Sequence, residues 1–224
     1  MKRAAKAKSN TLKAQETLRE MILSGDLLPG STYLESELAT LLRMSRTPVR
    51  EAALRLEANG LLEVQPRRGV RISPISPEDM EEIYEIPTEL EGLCAEKAAN
   101  SDCSDAELAK LQGAIRSMDE ALAAEDRDGW AAANELLHST LIRLGKNERV
   151  EAICAMYNDQ VRRARAVTLW LRPLPTESND AHRQVCEAIR GGDAAAAGQL
   201  HRAHRRQARK LLTELLTRHG LRSV

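Results

Sequence analysis

Residues 45–69, SRTPVREAALRLEANGLLEVQPRRG, place a helix start, a glycine stop and two short apolar runs in close succession. Thr47 followed by Pro48 predicts an N-cap with proline at the first helical position. The helix that follows, VREAALRLEAN, carries Val49, Ala53 and Leu56 on one face and stops at Gly60. LLEVQ and GVRIS then read as strands and PRR as a charged tip between them, so a β-hairpin follows the helix directly. Upstream, ESELATLL predicts a short helix with Leu38, Leu41 and Leu42 inward, and RMS allows only a tight connection. Two short helices joined by such a turn make a helix-turn-helix, and the hairpin makes the unit a winged helix. Before it, TLKAQETLREMILSG spaces Leu12, Leu18, Met21 and Ile22 as a helical face closed by Gly25, and LLPGS turns at Pro29-Gly30.

This order accounts for the arginines. Arg46 and Arg50 fall at the N-terminal end of the second helix, the end that meets base edges in a major groove. Arg67 and Arg68 fall at the wing tip, within reach of a neighbouring backbone or minor groove, and Gly69 permits the tight turn there. Taken singly, each is an ordinary surface charge; in this order they form one DNA-facing surface. The formal net charge of zero hides a division. Residues 1–73 carry 13 Lys and Arg against 8 Asp and Glu, a surplus of five that residues 74–224 reverse. A basic third on an acidic remainder suits a polyanion-binding module joined to a different kind of domain. No Phe and 2% aromatic residues argue against stacking of single-stranded bases on aromatic platforms.

ESELATLLRMSRTPVREAALRLEANGLLEVQPRRGVRIS resembles the winged-helix domain of GntR-type bacterial transcription regulators, most specifically in SRTPVREAALRLEANGLL followed by PRRG. The resemblance implies DNA-contacting roles for Arg46, Thr47 and Arg50, and for Arg68 with Gly69 at the wing. The resemblance also implies a DNA contact at Ser36, where family members often carry Arg and this chain departs from the pattern.

The chain thus reads as mainly α, with a winged helix-turn-helix over residues 1–75 and an antiparallel bundle of about six helices over residues 76–224. SPISP has the composition of a linker. Ser76-Pro77 starts a helix in which Pro87 predicts a kink or break. Ser104 with Glu107 forms a capping box for the next. Further helices are expected from about Asp128 to Leu144, Asn147 to Leu171, Glu177 to Arg190 and Ala194 to His219. The basic start, MKRAAKAKSN, lacks the apolar run of a secretory signal and reads as a frayed tail, or else as an arm on DNA. No apolar run approaches the ~20 residues of a membrane span. The four cysteines form no CxxC pair, so buried free thiols in a reducing cytoplasm are expected.

Helical wheels place three histidines inside the bundle. His138 shares an arc with Trp130, Leu137, Leu141 and Ile142, with Asn134 one turn earlier. His182 lies between Val185, Cys186 and Ile189. His204 is central to the stripe of Leu200, Ala208, Leu211 and Leu215, and His201 is at its edge. One inward histidine is ordinarily a hydrogen-bonded core residue. Three on separate helices suit an interior site for Zn, Ni, Mn or Fe.

From residue 9 to residue 218 the chain resembles the FadR subfamily of GntR regulators, whose C-terminal part is an FCD domain. NELLH, DAHRQVCEAIRGGD and LHRAHRRQ carry the second half of that resemblance. It implies Asn134, His138, His182 and His204 as a metal shell, and a small carboxylic acid as effector. Asn134 stands where Asp is usual, which removes a negative ligand and weakens divalent binding. Pro87 stands where many relatives have Arg, and Arg162 and Arg165 are candidates to replace that positive group.

Two functions of different class follow. The first is a ligand-responsive, cytoplasmic, homodimeric repressor that binds a palindromic double-stranded operator. It takes a carboxylate effector at a metal and has no membrane partner. The second is a metal-dependent hydrolase carrying a DNA-binding partner domain. No HExxH is present, and no carboxylate near the histidines is identifiable as a general base, so the expectation is a protein that is not an enzyme.

Overall fold

The computed structural model describes residues 2–101 and 103–220, with side chains described from residue 10 onward. Helix α1, Lys2–Ser24, turns its buried Thr11, Ala14, Leu18 and Ile22 inward. The span of α1 takes in residues 2–10 of the basic start; the side chains of residues 1–9 lie outside the described residues. Leu12, expected on the inner face, is 44% exposed, because Thr11, Ala14 and Leu18 set the buried line one residue away.

Helices α2, Glu35–Leu41, and α3, Arg46–Ala58, form the helix-turn-helix. Leu38 is buried on α2 as expected, but its partner is Ala39, and Leu41 faces solvent. The short α2 thus turns a narrower apolar face than its sequence suggested. Ser45, not Thr47, precedes α3, so Pro48 is the third residue of the first turn. Proline is tolerated there because first-turn N–H groups have no intrahelical partner. Val49, Ala52, Ala53 and Leu56 are buried along α3.

The hairpin forms as predicted from β2, Leu62–Gln65, and β3, Gly69–Ile72, in antiparallel register with Val64 opposite Val70. A two-residue strand, β1 at Thr32–Tyr33, pairs with β3 on its other side, giving the order β1-β3-β2. Gly69 has φ +104°, and a Cβ there would collide with the Tyr33 carbonyl. The glycine therefore lets the wing lie against the start of α2.

The C-terminal part consists of α4 (Pro77–Ala99), α5 (Asp105–Ala123), α6 (Arg127–Leu144), α7 (Glu148–Thr168), α8 (Thr176–Arg190) and α9 (Ala194–Arg218). Helix α4 runs through Pro87 without a break in its assigned span. Ser104 and Glu107 form the expected capping box. Asp126, Asn147 and Asp193 cap α6, α7 and α9 through their side chains. Each such cap typically stabilises a helix by ~1 kcal/mol. The main bundle core gathers Leu111, Met118, Trp130, Leu137, Leu141 and Ile189. Cys94, Cys154 and Cys186 are buried free thiols, and burial pushes Cys154 up to about 12. No helix among the described residues is long and apolar enough to cross a membrane.

The two parts meet along α7. Asp159 takes a two-pronged ion pair from Arg19 of α1. Gln160 donates to the carbonyl of Asn59, the C-cap of α3, at 3.0 Å. Arg163, buried, donates to the carbonyl of Ser73 just beyond β3 at 2.8 Å. One face of a single helix thereby holds α1, the end of α3 and the root of the wing.

Candidate metal centre and nucleic-acid interface

The side chains of Arg46 and Arg50 are 71% and 66% exposed at the start of α3. Both lie near the carboxylate of Glu35, at 3.6 and 3.7 Å. Thr47 is exposed beside them, and Ser36 is exposed in the first turn of α2. Arg67 and Arg68 are exposed at the turn of the wing, where Arg67 has a positive φ of 66°. The wing and the start of α3 are linked through α2. Gly69 abuts Tyr33 and Leu34, and the next residue, Glu35, faces Arg46 and Arg50. Glu35 was not foreseen from sequence as the group ordering these arginines.

Inside the bundle, His138 and His182 are buried, and His204 is half-buried on α9. The ring centroids of His138 and His182 lie 5.2 Å apart, and those of His182 and His204 lie 4.3 Å apart. One nitrogen from each of the three rings lies within 4.8 Å of the others. Helices α6, α8 and α9 therefore bring the three predicted histidines together. Asn134 is buried one turn before His138, and its Oδ1 lies 3.1 Å from His182 Nε2.

One expectation is corrected, and one group is added that the sequence did not reveal. His201 is fully buried, not at the edge of the stripe. A carboxylate is also present: Glu91 of α4 has no exposed surface and lies among these rings. Its Oε2 is 2.7 Å from His138 Nδ1 and 2.9 Å from His201 Nε2, and its Oε1 is 3.6 Å from Arg205. Burial alone raises the Glu91 pKa, but Arg205, His138 and His201 outweigh it and hold the carboxyl well below its usual range. Burial pushes His138 down to about 4 despite Glu91, and drives His182 and His204 well below their usual value. The rings are thus neutral donors.

The hydrogen bonds indicate which nitrogens carry lone pairs. With Nδ1 of His138 donating to Glu91, its buried Nε2 is left with no protein partner. With Nε2 of His182 facing the Asn134 oxygen, its buried Nδ1 is likewise left open. Buried nitrogens without partners are costly unless something fills them. A histidine whose other ring nitrogen is held by a carboxylate is the usual arrangement around a metal. The residues therefore fit a divalent ion held by His138, His182 and His204. A second grouping, Glu91 with His138 and His201, brings ligand atoms equally near, but Arg205 already compensates its charge.

Two cavities flank the histidines. One of about 340 Å³ is lined by Glu91, His138, Arg162 and Arg205 among others, and also by Leu23 of α1. The other, of about 500 Å³, reaches His204. They share Trp130, Asn134, Arg165 and Arg172 as walls. Arg165 thus faces both, whereas Arg162 is on the rim, 3.6 Å from Glu135.

Comparison with known proteins covers both halves. Residues 10–72 match the family described as bacterial regulatory proteins, gntR family, and residues 82–207 match the FCD domain. A protein of Agrobacterium vitis named as an HTH-type transcriptional regulator in the TAR-I ttuE-ttuC' intergenic region is 43% identical over 131 residues, 58% of this chain and 77% of its own. A protein of Paenarthrobacter nicotinovorans, named "Probable D-xylose utilization operon transcriptional repressor", is 31% identical over 79% of this chain and 76% of its own. The solved structure of E. coli McbR/YncC has the same fold, with a TM-score of 0.75 at 22% identity, covering 92% of this chain and 97% of that one. A solved domain described as a metal-free FCD domain aligns at a TM-score of 0.53 and 22% identity, over 65% of this chain and 99% of that one.

Proposed function

The chain belongs to the GntR family of bacterial transcription regulators and carries an FCD domain, and from that premise we propose a homodimeric repressor controlled by a small carboxylate bound at a divalent metal. The observation that carries this reading is the trio of neutral histidines, His138, His182 and His204, which bring one ring nitrogen each within 4.8 Å between two cavities, with His138 Nε2 and His182 Nδ1 buried and unpartnered. His138, His182 and His204 would hold the ion, with Asn134 as a weak fourth ligand or as the partner that orients His182. Bound there, a divalent ion supplies a Lewis-acidic position for an anionic oxygen of the effector. Arg165 faces the same space and suits the remaining carboxylate charge, with Arg162 at the rim.

At the other end, Arg46, Thr47 and Arg50 suit base edges in the major groove. Arg68 and Gly69 suit the adjoining backbone or minor groove, and Ser36 a phosphate. A two-fold pair of such units reads an operator with inverted half-sites. Selection from a random duplex library tests this: enrichment of an inverted repeat is expected, and a site without two-fold symmetry would count against the dimer. Glu91 gives no support to the alternative of a metal-dependent hydrolase, since its partners hold it far from the pKa of a base poised near neutrality.

Zinc titration of untagged protein tests the metal. Asn134→Asp is expected to tighten binding by restoring a charge, and His204→Ala to weaken it. If no divalent ion binds below about 100 µM, far weaker than structural sites reach, the histidines are core residues.

Helix α7 suits transmission. One of its faces lines the first cavity through Val161, Arg162 and Arg165, and another bonds α1, α3 and the wing. Arg163 is the most exposed to loss, because its buried guanidinium has a carbonyl as partner and burial lowers its pKa to about 10. Arg163→Met is expected to leave the protein folded and able to bind operator. Zinc should then change operator affinity less than ~2-fold, against the roughly 5–150-fold of ordinary allosteric coupling in the parent. An undiminished zinc response in this variant would assign transmission to another element.

A further inference from the structure

Arg165 and Arg172 differ from the ion-paired arginines of the bundle in lining the cavities without a carboxylate partner. Arg183, Arg202, Arg205, Arg206 and Arg209 each have a carboxylate within 4 Å. Among the described residues, neither Arg165 nor Arg172 shows such a pair. Arg165 donates from Nε to the Tyr84 hydroxyl at 3.2 Å. Arg172 donates to the Thr168 hydroxyl at 2.7 Å, and its Nε is buried with no hydrogen-bond partner. The turn that presents Arg172 is fixed, since Arg127 donates at 3.0 Å to the carbonyls of both Leu169 and Arg172. Both guanidinium groups line both cavities, next to Asn134 and Trp130. Burial lowers the Arg172 pKa to about 10, and repulsion from Arg165 adds to that. The other carboxylates on these walls, Asp128, Glu135 and Glu177, are exposed, and Glu91 is committed to His138, His201 and Arg205.

We propose that Arg165 and Arg172 form an anion subsite separate from the histidines, so that the effector of this chain is a compact dicarboxylate. This rests on the reading of a carboxylate held at the metal and narrows it to a ligand with a second anionic end. One carboxylate sits at the histidine cluster. The short carbon skeleton passes Asn134 against the Trp130 ring, which its own bond to Asn179 holds in place. The second carboxylate meets the two guanidinium groups, whose planar forks suit it in a way that lysine would not. The site brings together two partly buried cations that lack an anion, and the second carboxylate supplies one.

The test uses the zinc-loaded full chain and acids matched in length: succinate against butyrate, and glutarate against valerate, by calorimetry. The dianion should bind about ten-fold tighter or more, the scale of a charge-assisted pair. Arg172→Gln should reduce that advantage to about two-fold or less, and Arg172→Lys should keep part of it, with zinc affinity unchanged in both. Equal binding of the two acids by the parent, or an advantage that survives Arg172→Gln, would overturn the subsite while leaving a monocarboxylate effector in place. If zinc-loaded protein binds neither acid of a pair, the carboxylate reading fails and the subsite fails with it.

Discussion

Glu91→Ala lowers the stability of the metal-free protein by about 3–5 kcal/mol, the usual cost of removing one partner from a buried ion pair. Glu91 has no exposed surface, and Arg205 beside it is 2% exposed. Removing the carboxylate leaves that guanidinium as an uncompensated buried charge, with the Tyr84 ring 4.7 Å away as its main remaining support. His138 Nδ1 and His201 Nε2 lose their acceptor in the same step. Urea unfolding measures the loss directly, and in a heat scan it corresponds to roughly 6–20 °C. Zinc affinity should fall about 10–100-fold as well, because His138 is no longer held with Nε2 open. Glu91→Gln keeps the shape and one acceptor but not the charge, and should fall between the two. A Glu91→Ala protein within about 1 kcal/mol of the parent would mean that this cluster is not the buried charged centre of the bundle.

Glu91 also marks the boundary of what the sequence displays. Tyr84, Thr88, Glu91, Ala95 and Ala98 fall three and four residues apart, so Glu91 occupies an inward position on α4. A charged residue in such a line is the available sign of a buried partner. It is easily taken for surface in so acidic a segment, where Glu78, Glu81, Glu82, Glu85 and Glu89 precede it. His201 was misplaced for a related reason. A wheel ranks residues by their apolar neighbours, whereas His201 is drawn inward by the Glu91 carboxylate. His138, His182 and His204 were legible because each lies among apolar residues at helical spacing, and the structure brings them within reach of one another.

The Ser104 cap and the wing turn were legible in the sequence, whereas the cap of α3 was misplaced at Thr47. Ser104–Glu107 and the Pro-Arg-Arg-Gly wing each have a local chemistry that decides the backbone. The two-residue β1 was not legible, since its pairing with β3 is fixed by distant residues and by the absence of a side chain at Gly69. The contacts of α7 with Arg19, Asn59 and Ser73 were equally hidden, because two of the three are made to backbone carbonyls that carry no residue signature.

Replacing Arg46 and Arg50 together with alanine weakens specific operator binding by about 30-fold or more, given that a base-reading arginine contributes ~1–3 kcal/mol. Helix α3 is not expected to suffer, because both side chains are mostly exposed and the residues packing the helix are Val49, Ala52, Ala53 and Leu56. The two losses should not add fully, since both arginines share Glu35 and removing one frees the carboxylate to hold the other. Glu35 matters for a second reason. A carboxylate at this surface repels phosphate, so it favours arginines that leave it for a well-placed base edge over indiscriminate contact with any backbone. Glu35→Gln should therefore raise affinity for unrelated duplexes more than for the selected site. Arg68→Ala, at the wing, should instead weaken all duplexes alike and reduce the slope of log K against log salt by about one. Anisotropy titrations of selected and scrambled duplexes at several salt concentrations separate these effects. An Arg46/Arg50 double variant that still discriminates the two duplexes would remove the start of α3 from the reading surface, and a salt-independent Kd would remove the electrostatic basis of the whole interface.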